Sequence, residues 1–200
     1  MLMRIGGEEV GAGSRGWLDV INPATGEILD RVPAGGREDV DAAVGAAERA
    51  FSGWATKAAR ERGRILFKAA EAIRAAQGDL ARTLTREQGK PLAEAVDEVR
   101  GAAKVLEFFA SISGCLSGDF IRLGPAGDGV VVREPIGVCG AIIPWNMPVI
   151  LMAWKAGPAL LAGNTLVLKP SSTTPLTSLA IAGIMEKAGR QTCDIEFELS

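Results

Sequence analysis

Hydrophobic and polar positions in the first half of the chain follow first a strand pattern and then a helical one. Trp17–Ile21 and Ile28–Val32 are short apolar runs separated by the turn-forming segment Asn22–Glu27, which predicts a pair of strands joined by a tight corner. Apolar residues then recur every three or four positions, as expected for amphipathic helices. The predicted helices are Glu38–Phe51, Lys57–Ala76 with a continuation as far as Glu87, and Pro91 to Ala110.

The second half has a different pattern, in which strands and helices alternate with short connections. After a short β-like run at Val130–Arg133, Gly137–Ile143 has the composition of a buried strand, and Pro148–Leu161 is apolar nearly all round, as in a buried helix. A second buried strand is predicted at Thr165–Leu168, and a second helix at Pro175–Lys187. Strand, helix, strand, helix in this order is typical of a parallel sheet, so the fold class is predicted to be α/β.

Composition and charge exclude several classes of protein. Of the 200 residues, 48% are hydrophobic and 23% are charged, as in a globular domain. A net charge of -2 offers no electrostatic basis for binding nucleic acid or an anionic membrane. The chain has no uninterrupted apolar run of about 18 residues, and its first residues lack a signal-peptide pattern. A cytoplasmic location is therefore expected.

Cysteine and histidine usage narrows the chemistry. Cys115, Cys139 and Cys193 are far apart and form no CxxC pair, which argues against a zinc site or a disulfide framework, so no metal is predicted. Cys139 stands within an apolar strand pattern and is expected to be an unreactive core residue. Because the chain contains no histidine, a Ser-His or Cys-His nucleophile pair within it is excluded.

Two polar residues lie at the carboxyl ends of the predicted parallel strands. Asn146 comes just after the strand Gly137–Ile143, and Lys169 comes at the end of the next strand. Since ligands bind at the carboxyl ends of strands in open α/β sheets, the two side chains are expected at one ligand-facing edge. Two simpler interpretations stay open at this point: Asn146 as a cap of the following helix, and Lys169 as an ordinary solvated lysine.

Four motifs occur in a characteristic order. They are NPATGE at residues 22–27, EQGKP at 87–91, PIGVCGAIIPWNMP at 135–148 and AWKAGPALLAGNTLVLKPSSTTP at 153–175. Together the motifs resemble the aldehyde dehydrogenase superfamily from Trp17 to Gly189. The resemblance implies amino-terminal strands and helices that lead into the first half of a Rossmann-like NAD(P)-binding domain. The implied divisions are 1–134, with part of the oligomerisation strands, 135–189 for the cofactor domain, and 190–200 as an unaligned tail from truncation or frameshift.

The resemblance also implies a reaction and a set of site residues. Family members convert an aldehyde, NAD(P) and water to a carboxylate through a cysteine thiohemiacetal, so the implied partners are a small-molecule aldehyde and NAD or NADP. Asn146 is assigned to the oxyanion site, where its amide would stabilise a developing alkoxide. Lys169 would contact the adenosine ribose or a phosphate. The residues assigned to the lining of the cofactor cleft are Ile142, Ile143, Pro144 and Trp145.

Ser172 bears on the choice of cofactor. Many NAD-preferring members of the family carry glutamate three residues after this lysine, where its carboxylate accepts from the ribose hydroxyls. Serine binds those hydroxyls less strongly and does not repel a 2′-phosphate, so the sequence predicts that NADP is accepted.

The nucleophile and the general base of the family have no counterpart in these 200 residues. The QTC string at Gln191–Cys193 resembles a nucleophile motif only superficially, since the strands that should precede it are missing. The 200-residue chain is therefore expected to be inactive alone, and the complete enzyme is expected to be a homo-oligomer. The alternative is a catalytically inactive remnant that only contacts the cofactor or associates with subunits.

Overall fold

The computed structural model describes residues 1–11, 15–190 and 197–199. The strands are β1 (Met3–Ile5), β2 (Glu8–Val10), β3 (Trp17–Ile21), β4 (Ile28–Pro33), β5 (Asp119–Arg122), β6 (Asp128–Val131), β7 (Val138–Ile142), β8 (Thr165–Lys169) and β9 (Phe197–Leu199). The α-helices are α1 (Arg37–Ala55), α2 (Ala59–Ala75), α3 (Gln77–Gln88), α4 (Leu92–Ser111), α5 (Pro148–Leu161) and α6 (Leu176–Arg190). Single turns of 3₁₀ helix follow α4 and β5.

Five of the strands form one sheet, in the order β2-β1-β9-β8-β7. β7 runs parallel to β8, and β8 runs parallel to β9, whereas β1 pairs antiparallel with both of its neighbours. The other strands form two separate hairpins, β3-β4 and β5-β6. The predicted α/β class with a parallel β7-β8 pair is confirmed.

The sheet lies between helices. On one face, Val167 of β8 packs with Ala43 and Ala47 of α1. On the other face, Leu166 and Leu168 point into the main core, which α5 and α6 share with α2, α3 and α4. β8 contacts both helical layers because successive side chains of a strand point to opposite faces of the sheet. The main core includes residues from both halves of the chain.

Gly89 marks the boundary between α3 and α4. Its backbone adopts the left-handed conformation with φ of +89°, and a Cβ atom there would lie 2.9 Å from Cγ of Pro23. Only glycine fits without strain or a clash, which is why the EQGKP segment ends α3 at this point. The long predicted helix from Lys57 is in fact two helices, which meet at Ala76.

Apolar side chains of both β7 and α5 are exposed, although both segments have the composition of buried elements. β8 is buried as far as Leu168, but β7 is the edge strand of the sheet, and Ile142 near its end is 71% exposed. α5 is also open on one side, since Trp154 is exposed there. Within the described residues, these two elements are therefore covered over only part of their apolar surface.

Local pattern did not predict β1, β2 and β5, each of which has three or four residues. β5 pairs with β6, so the β-like run near Val130 belongs to a hairpin. No helix within the described ranges is both long enough and apolar enough to span a bilayer.

Candidate functional site

The ends of β7 and β8 lie side by side at one edge of the sheet. In the parallel register, Ile142 is the partner of Lys169, and the backbone N–H of Ile143 donates to the carbonyl of Lys169 at 2.9 Å. Asn146 follows three residues later in the loop that connects β7 to α5. The structure therefore brings the two loops that carry Asn146 and Lys169 to the same edge, as the strand pattern predicts.

The loop after β7 presents most of its side chains to solvent. Pro144 and Asn146 are exposed, and Trp145 is 60% exposed. Ile143 differs from these neighbours, because its side chain is 2% exposed and belongs to the main core. A contact from Ile143 to a ligand would therefore use its backbone carbonyl rather than its side chain.

The loop after β8 is organised by its own hydroxyl groups. The backbone N–H of Thr173 donates to Oγ of Ser171 at 3.3 Å, and the N–H of Thr174 donates to the carbonyl of Ser171 at 3.2 Å. This turn leaves Ser172 exposed. Lys169 is exposed, and its Nζ donates to the carbonyl of Pro170 at 3.3 Å.

Two clefts meet at this loop. Ser172 and Trp145 line a cleft of about 410 Å³ together with residues of β3 and the end of α3. Ser172 and Lys169 line a smaller cleft of about 140 Å³ against Val32 and Pro33. Ser172 is thus shared by both clefts, whereas Asn146 lines neither of them.

The interpretation of Asn146 as a helix cap is wrong. The N-cap residue of α5 is Met147, and no side chain of this residue closes the helix. The first free N–H groups of α5, from Val149 and Ile150, bind instead to Oε1 of Glu98 at 2.8 and 3.2 Å. The side-chain amide of Asn146 is therefore not used to begin the helix.

Asn164, in the AGN part of the motif, has a structural role. Its Oδ1 accepts from the N–H of Ile136 at 2.7 Å and of Gly137 at 3.1 Å, and its Nδ2 donates to the carbonyl of Ala159 at 3.1 Å. These bonds join the end of α5 to the start of β7. The side chain is buried, so its hydrogen bonds are satisfied within the protein.

Sequence analysis missed three charged residues next to the site: Glu87, Lys90 and Glu98. The EQGKP motif contributed to the resemblance, but the two of these residues that it contains, Glu87 and Lys90, were assigned no role. The signal for Glu98 was its place on the apolar face of α4, three residues after Ala95 and four before Ala102. A carboxylate on a buried face needs a partner, and here the partners are backbone N–H groups of another helix.

Glu87, near the end of α3, is buried against the start of α6. Its carboxylate accepts from the N–H of Leu176 at 2.7 Å, and from the N–H and the hydroxyl of Thr177. Burial raises the pKa of Glu87 from 4.5 to about 7, and the charge of Glu98 adds to the increase, whereas the bonds from Thr177 and Leu176 oppose it. Desolvation of the ionised carboxylate is thus larger than the stabilisation by its donors.

The raised pKa predicts that Glu87 makes the chain less stable as the pH rises. The folded state holds this proton more tightly than the unfolded state, so the contribution to stability is complete below pH 4.5 and is lost as the pH passes about 7. A shift of this size corresponds to at most roughly 3 kcal/mol. Urea denaturation at pH 5 and pH 8 should show this loss in the wild-type chain and not in Glu87→Gln.

The matched control for this measurement is Glu107. Hydrogen bonding to Arg74 lowers the pKa of Glu107, so its contribution is present above the ordinary pKa and is lost in acid. Glu107→Gln should leave the loss between pH 5 and pH 8 in place. An equal pH dependence in wild type and Glu87→Gln would contradict the prediction.

The cysteines and acidic residues that the structure describes lie too far apart for a metal centre. Among the described residues, no group of three or more His, Cys, Asp or Glu side chains could hold a metal ion. Cys115 is exposed in the turn after α4, and Cys139 is half-buried in β7 against the main core. Cys193 lies outside the described residues.

Comparison with known proteins gives a consistent result. The model of the aldehyde dehydrogenase family matches residues 10–192. Succinate-semialdehyde dehydrogenase [NADP(+)] GabD of Escherichia coli is 45% identical over 187 residues, which are 92% of this chain and 39% of the relative. The chain therefore spans about two-fifths of the length of this curated relative.

Solved structures agree with the sequence match. A crystal structure of an E. coli NADP-dependent enzyme superposes with a TM-score of 0.95 at 42% identity, over 100% of this chain and 41% of that chain. The structure of PnpE in complex with nicotinamide adenine dinucleotide superposes with a TM-score of 0.94 at 36% identity, over 99% of this chain and 40% of that chain.

Proposed function

The chain belongs to the aldehyde dehydrogenase family, which is NAD(P)-dependent, and from this membership we propose that its residues serve the oxidation of an aldehyde to a carboxylate. The observation that carries the proposal is the adjacency of two strand ends. The loop with Asn146 and the loop with Lys169 leave the sheet at the same edge, joined by the bond from Ile143 to Lys169.

Asn146 would stabilise negative charge on the substrate oxygen. As the nucleophile adds to the aldehyde, the carbonyl oxygen becomes an alkoxide, and an amide N–H is a neutral donor suited to that charge. The side chain of Asn146 is exposed and does not cap α5, which leaves its amide available for this bond. Its backbone carbonyl accepts from Nζ of Lys90 at 3.3 Å, so little reorganisation would be needed during the reaction.

The residues around the clefts fit a nicotinamide dinucleotide, which supplies the hydride acceptor of the reaction when bound. Ile142 and Trp145 present exposed apolar surface suited to packing against planar rings. Among the described residues that line the smaller cleft, Lys169 alone carries a charge, so an anionic phosphate or a ribose hydroxyl would find a donor there. Lys169 and Ser172 are the residues proposed to hold the adenosine end.

The cysteine nucleophile and the glutamate base of the reaction are proposed to have no counterpart in these 200 residues, since the QTC string that contains Cys193 lacks the strands that should precede a nucleophile motif. Cys115 is on the surface after α4, and Cys139 is within β7 rather than at its end. Covalent catalysis needs a thiol that is positioned and activated beside the substrate. We therefore expect no aldehyde oxidation from the 200-residue chain alone.

The test is a hybrid enzyme, in which residues 1–189 of this chain replace the matching amino-terminal part of E. coli GabD. The hybrid is expected to form NAD(P)H when an aldehyde is added, whereas the 200-residue chain and the remaining part of GabD should each form none. A hybrid that is folded and assembled but forms no NAD(P)H with any aldehyde would contradict the proposal. It would favour the inactive remnant.

Ser172 is expected to set the preference between the two cofactors. In the hybrid enzyme, Ser172→Glu should lower kcat/KM for NADP by about tenfold or more relative to NAD, because a carboxylate repels the 2′-phosphate and accepts from ribose hydroxyls. The comparison is made with Ser171→Glu, whose side chain is in the same turn but is bonded to Thr173. An unchanged ratio of the two kcat/KM values would remove Ser172 from the cofactor site.

A homo-oligomer is proposed for the complete enzyme, through the β5-β6 hairpin. Phe120, Val130 and Val132 in or beside this hairpin are large apolar residues that are each more than half exposed. Apolar side chains grouped on a hairpin are typical of an interaction surface. Light scattering of the hybrid should give a mass of more than one subunit, and Val130→Asp should reduce it.

A further inference from the structure

The start of α5 depends on a residue from a distant helix. Met147 at the N-cap position provides no side-chain bond, and Pro148 has no N–H group. The N–H groups of Val149 and Ile150 donate to Oε1 of Glu98 on α4, whose side chain is 1% exposed. A remote carboxylate thus does what a serine or asparagine at the N-cap position ordinarily does.

Lys90 completes this arrangement. Its Nζ forms an ion pair with Oε2 of Glu98 and donates to the backbone carbonyl of Asn146 at 3.3 Å. The side chain of Lys90 is 10% exposed, so both charges are largely removed from water. A buried pair of this kind is stabilised only when further hydrogen bonds satisfy it, and here those bonds all go to residues 146–150.

The loop after β8 has a separate arrangement of the same type. Glu87 receives the N–H groups of Leu176 and Thr177, the first residues of α6. Glu87 lies on α3 and Glu98 on α4, so the two helices that follow the parallel strands are each begun by a carboxylate from a different helix.

We propose that Glu98 with Lys90, and Glu87 alone, are positioning residues that fix the two strand-end loops independently of each other. The proposal rests on the proposed function, since it concerns how the loops with Asn146 and Lys169 are held for the reaction. If a polar side chain of the loop capped the helix, that side chain would be hydrogen-bonded to the helix N–H groups and unavailable to a ligand. Carboxylates from α3 and α4 begin the helices instead, and the amide of Asn146 stays free to meet a substrate.

Hydrogen exchange of the 200-residue chain, measured by mass spectrometry, tests the independence directly. Lys90→Met and Glu98→Met should raise exchange in residues 145–151 by tenfold or more and leave residues 174–180 within twofold of wild type. Glu87→Met should have the reverse effect. Lys104→Met, on the exposed side of α4, is the control and should change neither segment.

Global destabilisation would give a different pattern. If each variant raised exchange equally in both segments, or in neither, the proposal would be overturned. Glu98→Gln keeps one acceptor oxygen and is the milder second variant, for which an intermediate increase confined to 145–151 is expected. Lys90→Arg preserves the cation and should restore protection close to the wild-type value.

The hybrid enzyme gives the functional measurement. Lys90→Met should lower kcat by about tenfold with the KM for cofactor within twofold of wild type, and Lys90→Arg should recover most of the activity. The two proposals fail in distinguishable ways. If the proposed function is wrong, even the wild-type hybrid lacks turnover while the exchange pattern persists; if the positioning role is wrong, the wild-type hybrid turns over and the segment-specific exchange is absent.

Discussion

Replacing Asn146 by alanine in the hybrid enzyme is expected to lower kcat by about 10²–10³-fold, the usual consequence of removing one preorganised donor from an oxyanion site. The amide acts on charge that develops only during the reaction, so the affinity for cofactor should change little. The structure supports this separation, because Asn146 lines neither of the clefts that contain Lys169 and Ser172. Steady-state kinetics with a tryptophan-fluorescence titration of NAD(P) measure the two quantities.

Asn164→Ala is the matched control for that experiment. The side chain of Asn164 is buried and bonded to three backbone groups, so its loss should lower the free energy of unfolding rather than kcat of the folded enzyme. Asn146 has no such structural role and should leave the unfolding transition close to that of wild type. Normal turnover in Asn146→Ala would exclude the residue from the catalytic site.

Arg62→Met should have the largest effect on stability, lowering the free energy of unfolding by about 3 kcal/mol or more. Arg62 is 7% exposed, and its guanidinium donates to the carbonyl of Leu161 at 2.9 Å, at the end of α5. It also donates to the carbonyls of Ala55 and Lys57, at the end of α1. Methionine would fill much of the same volume but would donate none of these bonds.

Two further variants define the cause of that loss. Arg64→Met changes an exposed residue on the same helix and should alter stability by less than about 0.5 kcal/mol. Arg62→Lys keeps the charge but cannot match the planar fork of donors, so an intermediate loss is expected. Urea denaturation of the 200-residue chain measures all three, and a loss below 1 kcal/mol for Arg62→Met would show that water satisfies these carbonyls.

Arg62 also contributes to the position of α5 relative to the candidate site. Glu98 and Lys90 hold the amino end of α5, while Trp54 and Arg62 donate to the carbonyls of Leu160 and Leu161 at its other end. Anions at the amino end and cations at the carboxyl end complement the helix dipole. The helix that follows Asn146 is therefore held at both ends by residues from α1, α2 and α4 and by Lys90, which lies just before α4.

Local pattern was sufficient for most of the elements and for the place of the candidate site. Short apolar runs on either side of a turn signal predicted β3 and β4, and continuously apolar segments predicted β8 and α5. The bounds of α5 agree with the structure at both ends. Asn146 and Lys169 could be located without a structure, because parallel strands necessarily end at the same edge of a sheet. Each of these predictions depends on residues only a few positions apart.

The sequence by itself determined which segments become strands and helices, and which polar residues follow the parallel pair. Only the tertiary structure decided what holds those residues in place: Glu98 binds N–H groups 51 and 52 residues away, and Glu87 binds N–H groups 89 and 90 residues away. The physical reason is that the spacing of apolar residues along a helix or strand indicates which face is buried. The hydrogen-bond partner of one buried carboxylate depends instead on how helices distant in the sequence pack together.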